Sequence, residues 1–219
     1  MLRKPREGQD RIEGRPIRRV RYAVAMSLDA YIAGPDGESD WIITDAEIDF
    51  GEIFSRFDTV LMGRRTFEVA TARGRGGSMP GMKAIVVSRT LRQQDYPDVT
   101  ILGEDFASAL SGLRADPGKD IWLFGGGSLF SSLLDARLVD TVEVAVIPVL
   151  LGGGLPLLPP PARRCKLRLI SSKAYKTGIL SLEYAIEYAP RANAPSAPGK
   201  SLARKGRRGT MRKAGKRRS

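Results

Sequence analysis

Residues 120–130 read DIWLFGGGSLF. A short apolar run, Ile121 to Phe124, stops at Gly125, Gly126 and Gly127, and a new apolar pattern starts at Leu129. Glycine loses more conformational freedom on folding than any other residue. Three in a row at the end of a strand therefore imply a turn with backbone angles that only glycine reaches, or a close approach to the main chain. What else occupies that edge of the fold separates the two readings.

The same grammar recurs on either side. Residues 21–26 (RYAVAM), 59–63 (TVLMG), 84–88 (AIVVS), 99–102 and 121–124 are short continuous apolar runs, the pattern of strands buried on both faces. Helical patterns lie between them. The capping box Thr44-Asp45-Ala46-Glu47 predicts a helix to about Phe57, with Ala46, Phe50, Ile53, Phe54 and Phe57 as its core stripe. Further helices are predicted from Arg64, over 105–114 and over 128–134, and Pro35-Asp36-Gly37 marks a turn. After Val139 the pattern changes to long strands, DTVEVAVIPVLLGGG, KLRLISSKAYK and ILSLEYAIEYA, the last two joined around Thr177-Gly178. The expectation is an α/β fold: a mixed, mostly parallel central sheet flanked by helices, with an antiparallel C-terminal edge.

The chain has 219 residues and a formal net charge of +12, which at first suggests nucleic acid. The distribution argues otherwise. Residues 1–21 hold eight Arg/Lys and three acids, and residues 190–219 hold eleven Arg/Lys and no acid, which leaves 17 basic and 21 acidic residues in 22–189. The body is mildly acidic and the basicity belongs to the ends. Both ends lack apolar periodicity, so 1–19 and 190–219 read as basic disordered extensions around one domain, 20–189. Nonspecific polyanion contact through them is one consequence, and a nucleic-acid-binding module acting through its tails is the non-enzyme alternative. Aromatic residues that would stack on bases are missing from 190–219. One cysteine, Cys165, fits a reducing compartment. No apolar run approaches the roughly 18 residues of a membrane span, and no secretory segment follows the basic start, so the expected location is cytoplasmic. With no histidine and one cysteine, no metal site is expected.

Three strand ends look alike. VLMG runs into Gly63-Arg64-Arg65-Thr66, IVVS into Ser88-Arg89, and WLF into Gly125-Gly126-Gly127-Ser128. In an open α/β sheet, ligands bind outside the carboxyl ends of the strands. Two of these ends feed helix N-termini, where free N–H groups and the helix dipole favour an anion. Arg64, Arg65 and Arg89 bring guanidinium groups suited to a phosphate monoester. The combination fits a nucleotide with a diphosphate and one extra phosphate, although the triplet matches neither the G-x-G-x-x-G fingerprint nor a P-loop.

FDTVLMGRRTFEVA, KAIVVSR and IWLFGGGSLF, in this order behind AVAMSLDAYIAG, resemble the dihydrofolate reductase superfamily. They are closest to the stand-alone reductases related to the reductase domain of the riboflavin biosynthesis deaminase-reductase. LVDTVEVAVIPVLLGGGLPLL is similar to the stretch that follows the glycine motif there, and the resemblance covers about 20–188. It implies an NADPH-dependent reductase transferring hydride to a C=N or C=O carbon of a small heterocyclic or phosphorylated substrate, working as a homodimer. Gly63, Arg64 and Thr66 would hold the adenosine-phosphate half of NADPH, and Ser88 and Arg89 the 2′-phosphate and adenine. Gly125, Gly126, Gly127 and Ser128 would wrap the diphosphate. Ala25 and Ile32 would meet the nicotinamide amide through backbone groups.

The substrate side departs from the family. Folate-reducing members hold the pterin with one carboxylate on the first helix; here Glu47 and Asp49 both qualify, and spacing does not choose between them. The threonine that partners that carboxylate falls at Ala145, which counts against a dihydrofolate reductase. The riboflavin-pathway reductases carry glutamate before the glycine pair, where this chain has Phe124, which counts against a 5-amino-6-(5-phosphoribosylamino)uracil reductase. Asp29 is a third candidate acid, and an Asx-turn role is its simpler reading. Proton delivery falls to these acids, to Tyr31 or to water.

Overall fold

The computed structural model describes residues 11–12, 15–72, 74 and 79–189. In chain order the elements are β1 (Arg11–Ile12), β2 (Arg15–Pro16), β3 (Val20–Ser27), β4 (Tyr31–Ala33), α1 (Phe50–Ser55), β5 (Phe57–Gly63), α2 (Arg64–Ala72) and β6 (Lys83–Val87). There follow β7 (Thr100–Leu102), α3 (Phe106–Ala115), β8 (Asp120–Gly125), α4 (Gly127–Asp135), β9 (Thr141–Ile147), β10 (Leu155–Pro156), β11 (Lys166–Ala174) and β12 (Leu180–Glu187). Eight strands form one sheet in the order β11-β12-β9-β3-β8-β5-β6-β7. From β9 to β7 every pair is parallel, and β9-β12 and β12-β11 are antiparallel, which is the mixed sheet expected.

Period-two alternation along the central strands gives the sheet two apolar faces. On one, Tyr22, Leu61, Leu123 and Val144 pack with Leu110 of α3 and Leu129, Phe130 and Leu133 of α4. The Tyr22 ring stacks on Phe130 at 4.1 Å, and burial raises its phenol pKa. On the other face Val60, Met62, Val86 and Trp122 pack with Phe67 of α2. Each such buried aliphatic side chain contributes about 1.5–3 kcal/mol of transfer free energy. Consecutive parallel strands therefore end at a common edge, and that edge carries the glycine turn.

Two expectations are corrected. The first helix does not open at Thr44: Asp49 is the N-cap of α1, its Oδ1 accepting from the Glu52 N–H at 2.9 Å. The capping box is pre-empted because Asp45 turns its carboxylate elsewhere, accepting from the Glu47 N–H (2.9 Å) and from the Thr177 N–H and hydroxyl (3.1 and 2.9 Å). Nor is the predicted stripe a core stripe. No residue of α1 is buried, Phe50 and Phe54 are 44% and 37% exposed, and Phe57 has left the helix for β5, where it stacks against Trp122.

The second correction concerns the start of the body. Arg18 was counted in the basic extension, yet it is buried, pairs with Asp58, and donates to the Lys119 carbonyl (2.6 Å) and Thr59 Oγ1 (2.7 Å). A guanidinium can be buried when its donors are so satisfied. The remainder of that extension, apart from the short β1–β2 pair, lies outside the described residues, as does 190–219. No helix among the described residues is long and apolar enough to cross a membrane.

Candidate functional site

Each glycine of the triplet has a different reason to be glycine. Gly125, the last residue of β8, has φ 156°, a conformation L side chains rarely adopt, and its peptide to Gly126 is cis. Gly127, the first residue of α4, lies under the chain after β10: a Cβ there would stand 2.5 Å from the Pro156 carbonyl oxygen and 3.0 Å from that of Leu157. Gly126 differs from both. Its backbone is extended (φ −101°, ψ −172°), and an added Cβ would meet only Thr66 Oγ1, at 3.4 Å, an ordinary contact. The fold by itself leaves this position open to any small residue.

Gly126 is the N-cap of α4 and carries no side-chain cap, so the first N–H groups of the helix point outward with the positive end of the dipole. The end of β5 closes in beside it. A Cβ on Gly63 would lie 3.8–3.9 Å from Leu129, the Gly125 carbonyl oxygen and the Gly126 nitrogen. Thr66 leans on the glycine turn from the first turn of α2. Gly63, Thr66, Gly125, Gly126 and Ser128 are thus brought to one place, with Ser128 exposed at its rim.

The three arginines are not equivalent. Arg64 shares its guanidinium with Glu68 at 3.0 Å. Arg65 and Arg89 are exposed and, among the described residues, carry no ion pair. Ser88 is buried, and its hydroxyl accepts from the Thr90 and Leu91 N–H groups at 3.1 and 3.0 Å, so it shapes the loop that presents Arg89. Ala25, on β3, sits beside Ala145 of β9 in the sheet register. Ile32 lies in β4, which the β10 pairing and a Leu157 N–H to Ala30 carbonyl bond hold against the 155–157 segment.

All three candidate carboxylates have structural partners. Asp29 accepts from the Ser27 hydroxyl (2.6 Å), the Leu151 N–H (3.1 Å) and the Gly152 N–H (2.7 Å), and these bonds, that of Ser27 foremost, lower its pKa. It ties the loop after β3 to the second glycine triplet. Asp49 caps α1, and Glu47 lies 3.6 and 3.3 Å from Lys173 and Lys176.

Two groupings escaped the sequence reading. An aromatic run leads from α1 to the glycine turn: Phe50 to Phe54 (6.0 Å), Phe54 to Trp122 (5.2 Å), and Trp122 to Phe124 (5.1 Å). The Trp122 indole is fixed by donating to the Ala23 carbonyl at 2.8 Å. Beneath it the buried Arg21 meets Glu143 (2.5 Å), Glu183 (3.2 Å) and Asp120 (3.4 Å), and its guanidinium lies over the Phe57 ring. Burial opposes that charge, but the bond to Glu143 and the three carboxylates outweigh it and raise the Arg21 pKa. The signal available beforehand was the alternation in TVEVAV and SLEYA, which sets Glu143 and Glu183 opposite each other on one face.

Known proteins share this arrangement. The chain is 30% identical over 178 residues to the uncharacterized protein YyaP of Bacillus subtilis, covering 76% of this chain and 94% of that protein. Its fold superposes on a riboflavin biosynthesis protein of Shewanella sp. PV-4 with a TM-score of 0.66 at 24% identity, covering 78% and 99% of the two chains. It also superposes on the dihydrofolate reductase of Enterococcus faecalis complexed with NADP(H), with a TM-score of 0.55 at 15% identity and coverage of 77% and 94%. Residues 18–181 match the RibD C-terminal domain, and the chain belongs to that family, within the dihydrofolate reductase-like fold.

Proposed function

We propose that the chain is an NADPH-dependent reductase that delivers hydride to a C=N or C=O carbon of a small heterocyclic or phosphorylated substrate. The observation that carries this reading is Gly126: a glycine that the fold does not require, at an uncapped helix N-terminus, beside Gly63 and Thr66. Such a cradle suits a diphosphate, because backbone N–H groups and the dipole meet the charge while the missing side chain lets it approach. Arg64, Arg65 and Arg89 would engage a 2′-phosphate. Backbone groups of Ala25 and Ile32 would orient the nicotinamide. NADPH, when bound, supplies the hydride. With Asp29, Glu47 and Asp49 all engaged, the proton for the substrate would come from Tyr31 or from water. The NADP(H) complex of the E. faecalis enzyme and the RibD family membership support the reading. It includes a homodimer as the working unit.

The test is calorimetric titration with NADPH and NADH. NADPH should bind at least tenfold more tightly, about 1.4 kcal/mol. Arg89→Ala combined with Arg65→Ala should erode that ratio and leave NADH affinity unchanged. Equal affinities in the intact chain would contradict the proposal.

A further inference from the structure

The side of the site opposite the arginines has the reverse electrostatics. From Tyr22 to Ser55 the chain contains no Lys or Arg and eight Asp/Glu. This stretch supplies β4, the loop after it, and α1. Three of its acids, Glu47, Asp49 and Glu52, are exposed in and just ahead of α1. The lysines that reach this side, Lys173 and Lys176 of the hairpin, are met by Glu47. Between these charges lies the open end of the aromatic run, Phe50 and Phe54, exposed at 44% and 37% on a helix that buries nothing. Large apolar groups left in water at such a place mark a surface that a ligand covers. The Phe54 and Trp122 planes, 29° apart at 5.2 Å, form a shelf for a further ring.

We propose that this shelf takes a planar aromatic ring carrying no phosphate or carboxylate, and that the acidic wall rejects phosphorylated substrates. The inference rests on the reductase reading and narrows its substrate to the unphosphorylated class. Charge complementarity decides it. A phosphate dianion within a Debye length of Glu47, Asp49 and Glu52 meets repulsion and, among the described residues, no uncommitted cation contributed by this wall. A neutral or cationic ring meets none. The wall and the arginine edge thereby sort the two ligands, the phosphates to one side and the uncharged ring to the other.

The test uses a matched pair of probes, 1-naphthol and 1-naphthyl phosphate, titrated calorimetrically into the full chain at low salt, with and without saturating NADPH. Naphthol should bind at least tenfold more tightly than its phosphate ester, and added salt should narrow the gap. Phe54→Ala, or Phe50→Ala should the first variant not fold, should weaken naphthol binding about tenfold with NADPH affinity unchanged. Glu47→Gln, which releases Lys173 and Lys176, should strengthen binding of the ester alone. An ester that binds as tightly as naphthol, a naphthol affinity indifferent to both phenylalanines, or no binding of either probe would overturn the proposal. Loss of NADPH binding with the ring discrimination intact would instead count against the reductase reading, so the two failures are distinguishable.

Discussion

Gly127 and Gly126 are neighbours with opposite tolerance for a methyl group. At Gly127 a Cβ would press on two backbone carbonyl oxygens that cannot rotate away. Gly127→Ala should therefore destabilise the fold by about 1–3 kcal/mol, the range for overpacking, as read from chemical denaturation. At Gly126 the same change should alter stability by no more than about 1 kcal/mol, the scale of N-cap effects. A Gly127→Ala protein as stable as the parent would show that the chain after β10 yields. The sequence raised the choice between turn and close approach but could not assign it by position. That requires the path of residues 156–159, thirty residues downstream, over the start of α4. Ser88 was legible as a strand end, but not as the acceptor for the Thr90 and Leu91 N–H groups, because an exposed and a turned-in hydroxyl look identical in sequence.

Among the elements, α1 departs most from its sequence pattern. The capping-box spelling at 44–47 was genuine, but Asp45 found a partner in the turn between β11 and β12, a contact that no local pattern encodes. That contact joins the substrate-side loop to the hairpin, and it depends on charge. The Glu47 N–H first, then the Thr177 hydroxyl, lower the Asp45 pKa because they donate to the ionised carboxylate. A lowered native value means that the stabilisation is complete above the ordinary carboxylate value, about 3.9, and is lost as the pH falls through the lower native one. Asp29 behaves in the same sense at the 151–152 loop. The thermal midpoint of the parent should therefore fall more steeply between pH 5 and pH 3 than that of Asp45→Asn, which has already lost the contact. Parallel pH profiles would remove Asp45 from this role. The strands, by contrast, were readable because continuous apolar runs mean burial on both faces wherever the partner comes from.

At the scale of the whole molecule, the sheet ends in β11, whose nine residues are all exposed, Leu167, Leu169 and Ile170 among them. An edge of that length with apolar side chains is a template for another strand. A two-fold antiparallel pairing about Ile170 would set Lys166 opposite Ala174 and Arg168 opposite Ser172, so no like charges meet. The proposed homodimer would form here. Sedimentation should give twice the monomer mass for the parent and the monomer for Leu169→Lys, and a monomeric parent would contradict it. The architecture was legible from element order, and the common edge followed from parallel pairing. The aromatic shelf was not, because Phe50 and Phe54 fall on a helical face in either a core or an open role, and only burial distinguishes the two.

The central claim is that a diphosphate-bearing cofactor lies against the backbone at Gly126. NADPH calorimetry on the parent and on Gly126→Ala, beside denaturation of both, tests it directly. The account predicts nearly equal stability and an affinity lower by about a hundredfold in the variant, roughly 2.7 kcal/mol. A Gly126→Ala protein that binds NADPH as tightly as the parent would contradict it.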